Sequence, residues 1–403
     1  MKNIAILGFG VVGQGVAELL TKNAAEVKRL VGDDLYIKYI LDLRDFPESP
    51  FADRVVHDYA VIAKDTAVDA VIEVMGGSHP AFEFTMQALA AGKHVITSNK
   101  QVVAEYGAEM LAEAKKNGVC YHFEASVGGG IPVLMPIIEI LRHNKVREVR
   151  GILNGTTNYI LTKMFTFGDS FEASLADAQE KGYAERNPDA DILGVDACRK
   201  IAILGALVSG ASIDPDRIHT EGITAIRAQD VAVANKNHMA IKLLGRALCE
   251  EDGKVMLMVA PFLIDADAPL GGVHGVYNAV EVIADPVDNV MFYGRGAGAG
   301  PTASAVVGDL CRCFTEGTHT APIRFEKEPE RLSDFTRFTA QHYIATDAAI
   351  EAVQAAFGSV TVLSEGEELA VLTAPITEAD FEACAQKLIA SGAKVLSHLR
   401  KLS

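Results

Sequence analysis

No stretch of this sequence gathers lysine and arginine into a basic patch. With a formal net charge of −16, the chain would be repelled by nucleic-acid phosphates and by acidic lipid surfaces, so neither class of partner is expected. The sequence also lacks an apolar run near the ~20 residues that a spanning helix needs. Its opening residues, Met1-Lys-Asn-Ile-Ala-Ile-Leu-Gly8, enter a strand at once without a signal-peptide pattern, and a cytoplasmic location is the expectation. Cysteine is sparse. Cys120, Cys198, Cys249, Cys311, Cys313 and Cys384 show neither paired zinc spacing nor the density of a secreted disulfide scaffold. Cys311 and Cys313 have no second pair or histidine near them in sequence, so all six read as reduced, mostly buried thiols without a metal or redox role.

What the chain does contain is 403 residues, 49% of them hydrophobic and 22% charged, enough for two or three domains with sizeable cores. Asn3 to Leu7 reads as a strand buried on both faces, followed by a glycine turn and a helical pattern through Leu20. Further strands are predicted at Tyr36 to Leu41, Ala70 to Val74 and His94 to Thr97, with alanine-rich helices at Phe82 to Ala91 and Gly107 to Lys116. This alternation predicts an α/β fold with a Rossmann-type doubly wound parallel sheet, on which ligands sit beyond the carboxyl ends of the strands. Asp42, Gly76, Ser98 and Lys100 are therefore cofactor candidates by position. Residues 1–130 are expected to bind dinucleotide, and residues 131–300 to form an α+β domain for substrate binding, catalysis and dimerisation. Residues 301–323 are expected to return as a helix to the first domain. Residues 324–403 read as a C-terminal βαββαβ ferredoxin-like module.

Gly8-Phe9-Gly10-Val11-Val12-Gly13 fits the dinucleotide fingerprint. The first glycine permits the turn, the second lets backbone approach a pyrophosphate, and the third allows close helix–strand packing. Asp42 ends the second strand, where a carboxylate accepts hydrogen bonds from the adenosine ribose, although it stands 34 positions beyond Gly8 rather than the usual ~20. Two residues on, Arg44 is equally suited to a 2′-phosphate, so NAD and NADP are both served. A second glycine loop, Tyr293-Gly-Arg-Gly296-Ala-Gly298-Ala-Gly-Pro301, feeds a helix at Thr302 to Cys313, which makes Gly296 and Gly298 further cofactor candidates.

Thr97-Ser-Asn-Lys100, Glu124-Ala-Ser-Val-Gly-Gly-Gly-Ile-Pro132, Asn154-Gly-Thr-Thr-Asn158, Gly194-Val-Asp196-Ala-x-x-x-Lys200 and Gly294-x-Gly-Ala-Gly298 occur in an order and spacing that resemble homoserine dehydrogenase over about residues 1–315. The resemblance implies reversible hydride transfer between nicotinamide and C4 of L-homoserine and L-aspartate 4-semialdehyde, in the pathway to threonine, methionine and isoleucine. Hydride addition to an aldehyde generates an alkoxide that needs a proton donor, and lysine is a suitable acid when its pKa is tuned downward. Lys100 and Lys200 match the family's two catalytic lysines, with Lys200 from the second domain, as fits a site in the cleft between the two. Glu185 and Asp191 match residues that receive the substrate ammonium. Asn154, Gly155, Thr156 and Tyr183 are implied to line the pocket. Asp196 stands one helical turn ahead of Lys200 and can orient it. Glu124, Val127, Gly129 and Ile131 match a loop whose backbone oxygens hold sodium, a plausible ligand set for a hard monovalent cation. A homodimer or homotetramer is expected.

The C-terminal strand and helix order resembles the regulatory ACT module appended to many members of that family. Its first strand, however, passes through Ala345-Thr-Asp347 directly to Ala348-Ala-Ile350, without an Asp-x-x-Gly turn. Asn187 and Pro188 read as cap and first residue of a single helix carrying Asp191, Asp196 and Lys200. Two other readings stand beside this one. The first is another two-domain NAD(P)-dependent amino-acid dehydrogenase; the second is a nicotinamide-sensing regulator without turnover.

Overall fold

A computed structural model describes residues 1–317, 323–327 and 329–402; the end of the returning segment 301–323 lies partly outside these. The chain forms two compact units. One comprises Met1–Val146, Ala202–Pro215 and Gly294–Glu330, and the other Arg147–Ile201, Asp216–Tyr293 and Arg331–Ser403. Among the described residues no helix is long and apolar enough to cross a membrane.

The first unit is built on six strands, β1 (Lys2–Leu7), β2 (Leu35–Leu41), β3 (Val55–Val56), β4 (Ala70–Glu73), β5 (His94–Thr97) and β6 (Tyr121–His122). They lie in the order β3-β2-β1-β4-β5-β6, and every adjacent pair is parallel. This is the doubly wound dinucleotide-binding arrangement expected from the sequence. Ile4, Ile6, Ile72 and Ile96 supply its buried core, together with Val16 and Leu20 of the helix Val11–Lys22 and Val306 and Leu310 of the helix Ala299–Glu316. The two-residue strands β3 and β6 are additions to the predicted set, too short to leave a periodic pattern.

The second unit carries an eleven-stranded sheet. Nine strands run in the order β12 (Asp288–Arg295), β11 (Tyr277–Asp285), β7 (Lys145–Ile152), β9 (Met239–Cys249), β10 (Val255–Asp265), β17 (Val395–Lys401), β13 (Thr339–Thr346), β15 (Leu369–Thr373) and β14 (Val360–Ser364), while β8 (His219–Thr220) pairs with β10 and β16 (Ile376–Thr377) with β13. β9 and β10 pair antiparallel over eleven residues, from Met239–Asp265 to Cys249–Val255. β17 continues the sheet from β10 through Phe262–Arg400 and Leu263–Lys401, so the last eighty or so residues extend one sheet rather than packing as a detached body. Their element order is strand, helix, strand, strand, helix, strand with the short β16 added, and they bury a core of their own around Ile344, Val353, Val371, Phe381 and Leu388.

Two local readings change. Lys100 does not sit in a loop ahead of a helix at Gly107. It is the first residue of a helix running Lys100–Asn117, capped by Asn99, whose side chain accepts the Val102 amide at 3.3 Å. The single helix expected from Asn187 is instead two, Asp189–Ile192 and Val195–Ser209. Gly194 lies between them at φ +84°, and a side chain there would meet Thr220 and the Glu221 carbonyl at 3.1 and 3.2 Å. Asn187 caps neither helix, since its side chain accepts only the Asp189 amide, at 3.3 Å.

Candidate functional site

In the first unit the glycine turn follows β1 into the helix Val11–Lys22. Gly8 has φ +93°, and a Cβ on Gly13 would stand 2.1 Å from the Gly8 carbonyl oxygen, so turn and helix touch at a point where only hydrogen fits. A Cβ on Gly10 or on Gly76 would meet nothing within 4 Å. Backbone is therefore laid open beside the helix amino terminus, as a pyrophosphate requires. Val11 is exposed next to this turn, while Phe9 is buried against Phe46. Gly8, Gly10, Asp42, Arg44, His57 and Gly76 border a cavity of about 430 Å³, and the residues present fit a dinucleotide.

The Phe9 amide donates to Asp42 Oδ2 at 2.8 Å, and the Arg44 guanidinium donates to both Asp42 oxygens at 3.0 Å. That bidentate pair is the main reason the Asp42 carboxyl is held down at about 2. His57 places Nδ1 2.7 Å from the Asp42 carbonyl oxygen. Sequence reading passed over His57, and also over Glu73, although a lone charge inside the apolar run Ala70-Val-Ile-Glu73 was a visible signal. Glu73 is fully buried at the carboxyl end of β4. It accepts the Met75 amide at 2.8 Å and the Thr97 hydroxyl at 2.6 Å, with Asn99 Nδ2 at 3.4 Å. Burial pushes it up to about 7. Through Thr97 and Asn99 it braces the turn that presents Ser98 and the half-buried Lys100 beyond β5.

Gly298 opens the helix Ala299–Glu316, and a Cβ on Gly15 would lie 3.0 Å from the Ala299 carbonyl, so this helix start sits against the first glycine helix. Gly296 is packed elsewhere. A Cβ on Gly129 would stand 2.5 Å from Gly296, which places Gly296 against the loop of Glu124, Val127, Gly129 and Ile131. The Glu124 side chain has a role that sequence reading missed. It accepts the amides of Val133, Leu134 and Met135 at 2.6 to 2.9 Å, at the start of the helix Leu134–Leu141. The Cys120 and Cys313 thiols, read as isolated, lie together with His94, because β5, β6 and the helix Ala299–Glu316 are neighbours in this fold.

In the second unit Asn154, two residues beyond β7, caps the helix Gly155–Phe167, its Oδ1 accepting the Thr157 amide at 2.9 Å. Its Nδ2 donates to Asp191 Oδ1 at 2.7 Å and to Asp196 Oδ2 at 2.9 Å. Lys200 Nζ donates to that same Asp196 oxygen at 2.7 Å and to the Leu153 carbonyl, also at 2.7 Å. Asn154, Asp196 and Lys200 are buried and Asp191 is half-buried. Burial, reinforced by the Asp196 charge and opposed by the Asn154 amide, raises the Asp191 carboxyl. Gly155 is closed in, since a Cβ there would meet the Val276 carbonyl at 2.7 Å. Thr156 donates its hydroxyl to the Tyr183 carbonyl at 2.7 Å, whereas Tyr183 itself and Glu185 are exposed on the following loop. Below them the buried Lys242 ammonium donates to Asn158 Oδ1 and the Val273 carbonyl, with burial lowering it to about 8.

A six-stranded parallel sheet with this glycine turn and cavity defines a dinucleotide-binding oxidoreductase. In the second unit, paired carboxylates, Asp191 and Asp196, stand around the buried ammonium of Lys200. A family model described as homoserine dehydrogenase matches residues 132–311, and one described as homoserine dehydrogenase, NAD binding domain, matches residues 8–124. The chain is 36% identical to homoserine dehydrogenase of Bacillus subtilis over 413 aligned positions, 96% of this chain and 94% of that protein. It is 40% identical to the Synechocystis enzyme over 84% of this chain and 78% of that one. A crystal structure of homoserine dehydrogenase from Thiobacillus denitrificans superposes with a TM-score of 0.92 at 32% identity, covering 100% and 98% of the two chains. A hyperthermophilic archaeal homoserine dehydrogenase in complex with NADPH does so with a TM-score of 0.68 at 26% identity, over 80% of this chain and 100% of that one. The chain belongs to the homoserine dehydrogenase family of NAD(P)-dependent oxidoreductases.

Proposed function

We propose that the chain interconverts L-homoserine and L-aspartate 4-semialdehyde in amino-acid biosynthesis, with Lys200 as the proton donor and Asp196 as the group that orients it. The observation that carries this reading is the array of buried Asn154, Asp196 and Lys200 with half-buried Asp191. It holds an ammonium by one shared carboxylate oxygen beside a second carboxylate whose proton affinity is raised. Asp191, with Glu185 on the loop before it, receives the substrate ammonium, while Asn154, Gly155, Thr156 and Tyr183 shape the pocket. Lys100, at the start of its helix beyond β5, serves the cofactor side of the reaction. The bound nicotinamide supplies or accepts the hydride.

The cofactor is NADP in this reading. Asp42, the residue that would accept the ribose hydroxyls of NAD, already has both oxygens taken by Arg44, and Arg44 with His57 forms a cationic edge for a 2′-phosphate. Hydrogen bonding to the Asp42 carbonyl raises the proton affinity of His57, against a smaller opposing effect of burial. The backbone of Glu124, Val127, Gly129 and Ile131 is assigned to a monovalent cation such as sodium, a reading supported by positive φ at Gly128 and Gly129. Residues 324–403 are assigned as an ACT-like module for regulation or assembly. Self-association as a homodimer or homotetramer is supported by the edge strand β12, where Met291 and Tyr293 are exposed.

The test is the Lys200→Ala protein, assayed for NAD(P)H oxidation with aspartate semialdehyde. A loss of roughly 10² to 10⁴ in kcat is expected for removal of a general acid, and an unchanged rate sinks the assignment. Absence of turnover in the unmutated protein would favour a sensor.

A further inference from the structure

At the opposite end of the first sheet from the cofactor cavity, three side chains with metal-binding atoms converge. His94 is the first residue of β5, Cys120 directly precedes β6, and Cys313 lies in the last turns of the helix Ala299–Glu316. One nitrogen of His94 and the two sulfurs all lie within 4.8 Å of one another. Ligands on a tetrahedral zinc ion, at Zn–S of ~2.3 Å and Zn–N of ~2.0 Å, stand roughly 3.5 to 3.8 Å apart. Closing the set around an ion therefore asks for movements of about 1 Å or less, within reach of side-chain torsions.

The surroundings suit such an ion. Cys120 and Cys313 are both buried, as structural thiolate ligands are. His94 Nδ1 accepts the Cys120 backbone amide at 3.1 Å, so that nitrogen is unprotonated, as ligation requires; an ion would compete with the amide for it. The Cys120 sulfur donates to the Gly317 carbonyl at 3.1 Å, a proton that a metal would displace. Two residues beyond Cys120, on the same face of the strand, His122 is buried with its ring beside the Cys120 sulfur. Among the described residues its Nε2 has no hydrogen-bond partner. A buried imidazole nitrogen left in this state is a cost in an ordinary core and a resource beside a metal.

We propose that His94, Cys120 and Cys313 form a binding site for one thiophilic divalent ion of the zinc class, with His122 or a water completing four-coordination. Binding replaces the two thiol protons, so one ion is taken up, two Cys–S bonds to metal form, and two protons leave. Two of the ligands, His94 and Cys120, come from the amino-terminal ends of β5 and β6, remote from the carboxyl ends that carry the cofactor candidates. The ion therefore has a structural role, tying the helix Ala299–Glu316 to the sheet edge.

The experiment uses the full, reduced protein titrated with Cd²⁺, a spectroscopic stand-in for Zn²⁺. The expected result is an ultraviolet thiolate-to-cadmium band that saturates at one ion per chain, two protons released per ion to an indicator dye, and a rise in the thermal midpoint with Zn²⁺. Cys313→Ser and Cys120→Ser should each abolish the band. His94→Gln should keep the sulfur band but weaken binding by about 10-fold or more. Far-ultraviolet dichroism and thermal unfolding without added metal show whether each variant is folded. A band that persists in both folded cysteine variants, or no band in the reduced parent, overturns the proposal.

Discussion

Replacing Asn154 with aspartate separates the two tasks of this side chain. Aspartate caps a helix as well as asparagine does, so the bond from the Thr157 amide, 2.9 Å in the parent, should survive. An ionised carboxylate cannot donate, however. The two bonds from Nδ2 to Asp191 and Asp196, 2.7 and 2.9 Å, become contacts among three carboxylates. At an effective dielectric near 20, like charges ~4 Å apart repel by ~4 kcal/mol per pair, and Lys200 offsets only part of that. The folded protein responds by holding a proton in a cluster where burial already raises the Asp191 carboxyl. The rise that follows is a cost on the order of a few kcal/mol at neutral pH. The sign follows from the folded-state affinity lying above the unfolded one. The penalty is absent below the unfolded carboxylate range and grows as pH climbs through the raised folded value. Urea unfolding should therefore show Asn154→Asp losing about 2 kcal/mol more, relative to the parent, at about pH 8 than at about pH 5. Asn154→Ala should lose an amount nearly independent of pH. With Lys200 as the proposed donor, kcat should also fall, because a lysine facing more negative charge releases its proton less readily. Equal destabilisation of Asn154→Asp at both pH values would refute the view that the amide separates two charged carboxylates.

Two other perturbations probe the first unit. Arg44→Ala frees both Asp42 oxygens from their bidentate pair and, under the NADP reading proposed above, removes the partner of the 2′-phosphate. In side-by-side initial rates KM for NADPH should rise about 10-fold or more while KM for NADH stays level or falls; a rise confined to NADH would reverse the cofactor reading. Glu73, raised from 4.5 to about 7 by burial, stabilises the fold fully below its unfolded value and loses that contribution as pH rises through about 7. The loss is on the order of 3 kcal/mol. Glu73→Gln should flatten the parent's fall in thermal stability between about pH 6 and about pH 8, and an unchanged slope would place the titration elsewhere.

The dinucleotide unit was readable because its signals are local. Buried-type strands at Asn3 to Leu7 and Ala70 to Val74, a glycine turn between strand and helix, and a carboxylate ending β2 each occupy a few consecutive residues, and the parallel order follows from the alternation of elements. The length of the helix that starts at Lys100 was not readable from periodicity, because its beginning is fixed by the Asn99 cap and by the Glu73, Thr97 and Asn99 contacts. Those join residues 24 and 26 positions apart. The solitary glutamate in an otherwise apolar strand was a local signal for that brace.

The charged stretch before Ile201 shows a different limit. Its spacing of four residues places Asp196 beside Lys200 on one helix, which needs only the 3.6-residue period. Asp191 joins them by another route. The chain leaves the helical path at Gly194, where β8 and the residues after it pass too close for a side chain. The short helix before the break then aims Asp191 at an amide 37 positions earlier in the chain. A single continuous helix from Asn187 would put Asp191 five residues from Asp196, about 140° away around the axis, where one asparagine could not readily bridge them. The glycine that spoils the predicted helix is thus the residue that lets two carboxylates share Asn154. A side chain placed at Gly194 would meet Thr220 and Val259 of the sheet at 3.1 and 3.3 Å, so Gly194→Ala should disturb that sheet contact and the Asn154–Asp191 bond together.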